Sequence, residues 1–266
     1  MFKFLLVLVS LFILVGCQDD EVVTDEILPT AVYFAADTSL DDEGWQHFVT
    51  VIVNADDVVT DIEFDSIGMP ASPSRRLISQ GTTYVETFGY SFYEQAMMLE
   101  GELRGVLRDE LVEGILTAYQ AGMIDFNPVA FAHLAEVALA SPPVVRGSYL
   151  DGIYSSYGEV NAAGYQYFVN LFIIHGNILA AHWNAINLED GTFKYTPSST
   201  AADESLLEWR NQAALIEEAL IAFQDPMMFS FDVDGFTDEI PGVYIEIESV
   251  VALFTAALAT GRANPE

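Results

Sequence analysis

His175 and His182 stand seven residues apart with Gly176-Asn177 between them, and His47 lies in a second apolar run. Two or three imidazoles gathered on neighbouring strands would make a zinc-type site. Taken singly, histidines on strands are surface groups or hydrogen-bonded core groups, which is the simpler reading. Asp232-Val233-Asp234-Gly235, with Thr237-Asp238-Glu239 after it, has the acidity of a calcium loop. It lacks the Asp/Asn spacing and the terminal bidentate Glu that such a loop needs. No Gly-x-Ser-x-Gly elbow and no Gly-Lys-Ser/Thr phosphate loop occurs. Among 40 acidic residues some carboxylates fall near one another by chance, so a glycosidase pair cannot be argued from their number. A hydrolase therefore has no motif to stand on. Carriage or binding remains.

The one cysteine of the 266 residues is Cys17, and its setting is informative. Met1-Phe2-Lys3 is a short basic start, Phe4 to Val15 is apolar apart from one Ser, and Leu14-Val15-Gly16-Cys17 precedes the polar Gln18-Asp19-Asp20. A charged start, an apolar stretch and small residues before a cleavage point make an export signal. The apolar run is well short of the roughly 20 residues that span a bilayer. The segment resembles a bacterial lipoprotein signal, with the Leu-Val-Gly-Cys lipobox matched at all four positions. That resemblance implies cleavage after residue 16, diacylglycerol on the Cys17 sulfur and an acylated amine, the acyl chains being of the palmitate class. No thiol is then left for a disulfide, a metal or a nucleophile. Several acyl chains anchor durably where one does so only marginally. Gln18, in place of the Asp that retains such proteins at the inner membrane, implies the outer membrane if the cell is Gram-negative.

Nine basic and 40 acidic residues give a net charge of −31, and removing Lys3 with the signal makes it 8 − 40 = −32. Such a surface repels nucleic acid and anionic headgroups, leaving the N-terminal lipid as the contact with the membrane. Its simplest purpose is hydration and mutual repulsion. Disorder is excluded, because 52% hydrophobic and 12% aromatic residues supply ample core material.

The chain repeats itself. Gly44-Trp45-Gln46-His47-Phe48-Val49 matches Gly164-Tyr165-Gln166-Tyr167-Phe168-Val169 in register. The match continues through Asn54–Asp57 and His175–Asn177, turn-rich punctuation between β-branched runs, into 58–67 against 178–186 with one residue skipped. With Ala31–Phe34 and Gly152–Tyr154 ahead of them, the runs predict three antiparallel strands per unit. Apolar residues at three- and four-residue spacing predict helices over 92–119 and 204–223, aligned as Gln95…Glu100 against Gln212…Glu217. Ser205 or Asp203 is a candidate cap for the second, with Glu208 in capping-box register to Ser205. Short closing helices are expected at 128–140 and 246–259, and Ser141-Pro142-Pro143 marks a boundary. The predicted fold is α+β: two similar small domains, 30–141 and 144–260, each a twisted antiparallel sheet packed with helices, behind an acidic tether at 17–29.

In the second unit Tyr149-Leu150-Asp151-Gly152-Ile153-Tyr154, Gly164-Tyr165, Phe168–Ile173, Trp183–Asn187 and Glu189-Asp190-Gly191 carry a resemblance. They look like the FMN-binding domain of extracytoplasmic bacterial flavoproteins, which also occurs in tandem and in lipoproteins of the pheromone-precursor type. Asp42-Glu43-Gly44-Trp45 is a fainter echo in the first unit. The resemblance implies electron transfer outside the cytoplasm, with the flavin supplying the chemistry and a redox or envelope protein as partner. It also implies FMN joined through its phosphate to a Thr that closes an Asp-x-x-Ser/Thr-Gly-Ala-Thr signature. Here Asp238 and Gly242 fall in place, but Pro241, Val243 and Tyr244 replace the Ser/Thr, the Ala and the acceptor Thr. The phenol stands farther out on a rigid ring, so covalent flavin is not expected. The shorter loop 123–128 of the first unit has neither the Gly nor the Thr. A noncovalent flavin or another flat ligand would face this turn and stack on Tyr244, Trp183 or Tyr165; otherwise the turn is a helix entry and no cofactor is bound. The expectation is an envelope-anchored relative of FMN-binding electron-transfer domains without covalent flavin. The alternative is a non-redox binding or scaffolding lipoprotein that keeps only the fold.

Overall fold

The computed structural model describes residues 30–68, 74–196 and 204–259; Cys17 and the acidic tether lie outside them. Each repeat opens with a three-stranded antiparallel meander: β1 (Ala31–Ala36), β2 (Gln46–Val53) and β3 (Val59–Ile67), then β4 (Gly152–Val160), β5 (Tyr165–Ile174) and β6 (Asn177–Asn187). The turn into the middle strand is built alike in both. The side-chain oxygen of Asp41 accepts from the N–H groups of Glu43 and Trp45, and that of Asn161 from Ala163 and Tyr165. Gly44 and Gly164 follow at φ +84, a left-handed setting that an Asx turn leads into and that suits glycine. Gly44 is constrained twice, because a Cβ there would lie 2.7 Å from the Phe193 ring of the other repeat. The skipped residue falls in the second hairpin: Val53 pairs with Val59 and Ile173 with Ile178, and the register shifts between Ile52 and Val53 as it does between Phe172 and Ile173.

The helices of the first repeat are α1 (Arg75–Ile78), α2 (Thr82–Phe88), α3 (Phe92–Leu103), α4 (Leu111–Gln120) and α5 (Val129–Ala140); the second has α6 (Glu204–Phe223) and α7 (Glu248–Leu258). The continuous helix expected over 92–119 is thus two. Gly105 adopts φ +92, and the chain leaves the helix to pair with β3, Gly105 N–H donating to Val59 O and Val59 N–H to Val106 O. A β-type partner outweighs the apolar helical spacing. Helix α6 already starts at Glu204, so Ser205 sits in its first turn rather than at its cap, and Asp203 lies outside the described residues.

Strand alternation divides each sheet between two neighbours. In the first repeat Val49, Val51, Ile62 and Phe64 face α3 to α5 and pack with Phe92, Leu99, Ile115 and Phe131. In the second, Val169, Leu171, Ile173 and Trp183 face α6 and α7, with Ile216, Leu220, Val250 and Phe254. The other faces meet across a third core of Phe34, Phe48, Ile67 and Phe172. Phe172 lies 5.9 Å from Phe34 and 5.2 Å from Phe48, ring centre to ring centre. Asn170 Nδ2 donates to Gly68 O across the same seam. The layers run helix, sheet, sheet, helix, an α+β fold whose two similar parts share an apolar junction.

Candidate functional site

Glu100 and Glu217, aligned by the repeat, occupy matching stations. Glu100 Oε1 accepts from the Phe64 N–H of β3 at 2.9 Å, and Glu217 Oε1 from the Trp183 N–H of β6 at 2.6 Å. Each is met by a guanidinium: Arg76 reaches both oxygens of Glu100, Arg210 both of Glu217. Burial raises both carboxyls above the ordinary range, Arg210 or Arg76 pulling the other way. Their lone pairs are spent on backbone and guanidinium, so they latch helix to strand. They are not poised for proton transfer.

The neighbouring glutamines hold the loops before the closing helices. Gln95 Oε1 accepts from Asp125 N–H, while its Nε2 donates to the Asp125 carboxylate. Gln212 Oε1 accepts from Tyr244 N–H at 2.6 Å and Ile245 N–H at 3.1 Å. The Tyr244 ring stands in solvent, 77% exposed, and Asp238 is exposed as well. Gly242 has φ +90, and a Cβ on it would lie 3.1 Å from Leu215 Cδ1, so a leucine fills the space beside the glycine. Val243 is packed into the second core. Trp183 is only 4% exposed and sits inside that core, and Tyr165 lies half-buried at the start of β5. A ring in solvent and a ring in the core cannot flank one flat ligand. The candidate rings therefore do not gather into one stacking site.

Trp183 instead belongs to an aromatic group the sequence did not single out. Its ring lies 5.1 Å from Trp209 and 5.8 Å from Tyr167. Lys194, the only lysine after Lys3, places its ammonium 4.2 Å from the Trp209 ring centre and 4.8 Å from that of Tyr167, and donates to the Tyr167 hydroxyl at 2.6 Å. The cation is the protein's own.

The histidines do not meet. His47 Nδ1 bonds Ser66 Oγ at 2.6 Å and its Nε2 lies 3.3 Å from the Asp41 carboxylate. That connectivity resembles an Asp-His-Ser chain, but Ser66 is wholly buried and no substrate can reach it. His175 sits on the β5–β6 turn at φ +52. Among the described residues no three His, Cys, Asp or Glu side chains converge on a metal position. One oxygen of the Asp232 carboxylate accepts from the Asp234 and Phe236 N–H groups, the same Asx turn as at Asp41.

His182 is fully buried on β6, 3.9 Å from Glu217, and its ring nitrogens make no hydrogen bond of ordinary geometry among the described residues. Burial, and then the charge of Arg210, push its pKa well below the imidazole's ordinary 6.5. The unfolded chain therefore takes up a proton that the folded chain refuses. The associated stability is whole above about pH 6.5 and is lost as pH falls toward the folded value, by up to about 1.4 kcal/mol per pH unit. We expect the unfolding free energy of wild type minus that of His182→Leu to fall between pH 7 and 5; a flat difference contradicts this.

Where the repeats join, a cavity of about 330 Å³ opens between α5 and α6 over β1 and β6. Phe34, Val137, Leu179, Ala180, Ala214 and Ile221 give it apolar walls. Ligand sites favour such junctions, and the volume is at the small end of their range. At 100° per residue, Arg210, Ala214, Glu217 and Ile221 project on the side of α6 opposite Gln212 and Leu215. The cavity and the 237–245 loop are thus separated by a helix.

No family model matches the chain, and neither does any curated protein. Two solved structures are similar to parts of it. The solution NMR structure of a Clostridium thermocellum protein is 27% identical over 41% of this chain and 90% of its own, with a TM-score of 0.34. The crystal structure of a Clostridium perfringens protein is 23% identical over 42% of this chain and 88% of its own, with a TM-score of 0.30.

Proposed function

We propose that the chain is an envelope-anchored lipoprotein, built on the plan of FMN-binding electron-transfer domains, that works without flavin as a binding module. The lipobox ending in Cys17 supports the anchor, and the two sheet-and-helix repeats support the plan. The observation that carries the loss of flavin is the Tyr244 loop. Its acceptor position is an exposed phenol, its backbone is tied to Gln212, and Leu215 occupies the space beside Gly242. The non-redox reading is favoured over the electron carrier for the same reason: Trp183, the best stacking platform of the second repeat, is closed off by Tyr167 and Trp209.

Two experiments test this. In a cell that processes lipoproteins, wild type should sediment with membranes and Cys17→Ala should be released from them; a Cys17→Ala chain that stays membrane-bound overturns the lipid anchor. Free FMN should keep its fluorescence when the chain is added. Quenching that saturates at one equivalent would establish a noncovalent flavin site and overturn the non-redox reading.

A further inference from the structure

We propose that the junction cavity between the repeats binds a small cationic amphiphile, an apolar body carrying an ammonium head. Its size and walls define the body. At about 330 Å³ the groove is at the small end of ligand sites, which suits a short chain or a single ring. Strand β1, strand β6 and helices α5 and α6 each present aliphatic or aromatic carbon to that space, so a chain or ring lying there leaves water on the walled sides and keeps it at the open mouth.

Charge defines the head. The lining contains three carboxylates, Asp37, Glu217 and Glu218, and one guanidinium, Arg210, a balance of 1 − 3 = −2. Arg210 is committed, holding both oxygens of Glu217 and donating to Thr38 O across the junction, so it cannot turn to an anionic ligand without leaving Glu217 unpaired. That same bond to Thr38 brings α6 beside the Asp37 end of β1, so both elements carry acidic groups on the rim of the groove. Glu218 is exposed, and Asp37 is partly buried with one carboxylate oxygen accepting from the His47 N–H. A carboxylate head would enter against this wall and against a whole-chain charge of −31. A cation is drawn in by both. Fatty acids are thereby excluded as ligands and alkyl- or arylammonium compounds selected.

The inference does not rest on the absence of flavin, since the cavity lies across α6 from the Tyr244 loop. A chain found to carry flavin would sink the function proposed above and leave this site standing, and a cavity that binds nothing would do the reverse. The test is calorimetric titration of the chain from Gln18 onward, which keeps every described residue, with octyltrimethylammonium, 1-octanol and octanoate. The ammonium compound is expected to bind at one equivalent, at least tenfold tighter than octanoate, and to weaken with added salt. Ala214→Trp fills the cavity without altering any charge and should weaken the ammonium compound at least tenfold, its circular dichroism and melting curve reporting that it remains folded. Asp37→Asn with Glu218→Gln should weaken the ammonium compound about fivefold and leave octanol unchanged. Octanoate binding as tightly as the ammonium compound, no binding by wild type, or equal binding by a folded Ala214→Trp chain (adsorption to the acidic surface) overturns the proposal.

Discussion

Arg210→Met is expected to cost about 3–5 kcal/mol of folding stability, among the largest effects of any single change in this chain. Arg210 is 5% exposed and Glu217 is 4% exposed. Removing the guanidinium strands a buried carboxylate that already carries the desolvation cost, and it also removes the donor to Trp183 O and to Thr38 O. Replacing both partners, Arg210→Met with Glu217→Leu, takes both charges out of the interior and should recover much of the loss. Recovery stays incomplete, because the Trp183 N–H loses its acceptor and an unsatisfied buried amide costs about 1–3 kcal/mol. Denaturant unfolding of the two variants measures both numbers. A single variant within 1 kcal/mol of wild type would contradict the account of a strained-for, paired latch.

Phe172→Ala is expected to cost about 3–5 kcal/mol, and to do so by loosening one repeat from the other. Phe172 is fully buried yet belongs to neither helix-facing core; its ring bridges Phe34 and Phe48 of the first sheet. Phe131→Ala, inside the first core, should cost a similar amount without that effect. Hydrogen exchange separates the two. After Phe172→Ala the amides of β1 and β6 should exchange faster while those of α4 keep their relative protection; after Phe131→Ala the first repeat should lose protection as a unit. Identical exchange patterns for the two variants would contradict a junction that holds the repeats together.

The sheets were legible because a β-strand advertises itself twice over, by alternation and by the turn that ends it. The in-register match of Gly44–Val49 with Gly164–Val169 is legible as a repeat, while the Asx turns that Asp41 and Asn161 make ahead of it are visible only in the structure. The Gln95…Glu100 and Gln212…Glu217 alignment proved more telling than its apolar spacing alone suggested, since both pairs are tied to a strand and to a loop in the same way. Arg210, seven residues before Glu217 and on the same helix face, was readable in principle; Arg76, on a four-residue helix 24 positions before Glu100, was not. Helices α1 and α2 escaped notice because short helices have too few turns to show a period. The split of 92–119 depends on a strand pairing between residues 59 and 106 that no local window contains. The candidate ring residues failed to assemble for a related reason. Trp183, Tyr165 and Tyr244 come from separate parts of the second repeat, and the burial of one ring and the exposure of another are settled by the helices packed over them. The junction cavity was invisible because its walls come from four elements of two repeats.

The most direct test is the absorbance spectrum and intact mass of the chain from Gln18 onward, exported beside an active flavin transferase. The account predicts a colourless protein of unmodified mass. A yellow protein whose mass carries an FMN adduct would show that Tyr244, or another hydroxyl, accepts flavin after all, and that the chain is a working electron carrier.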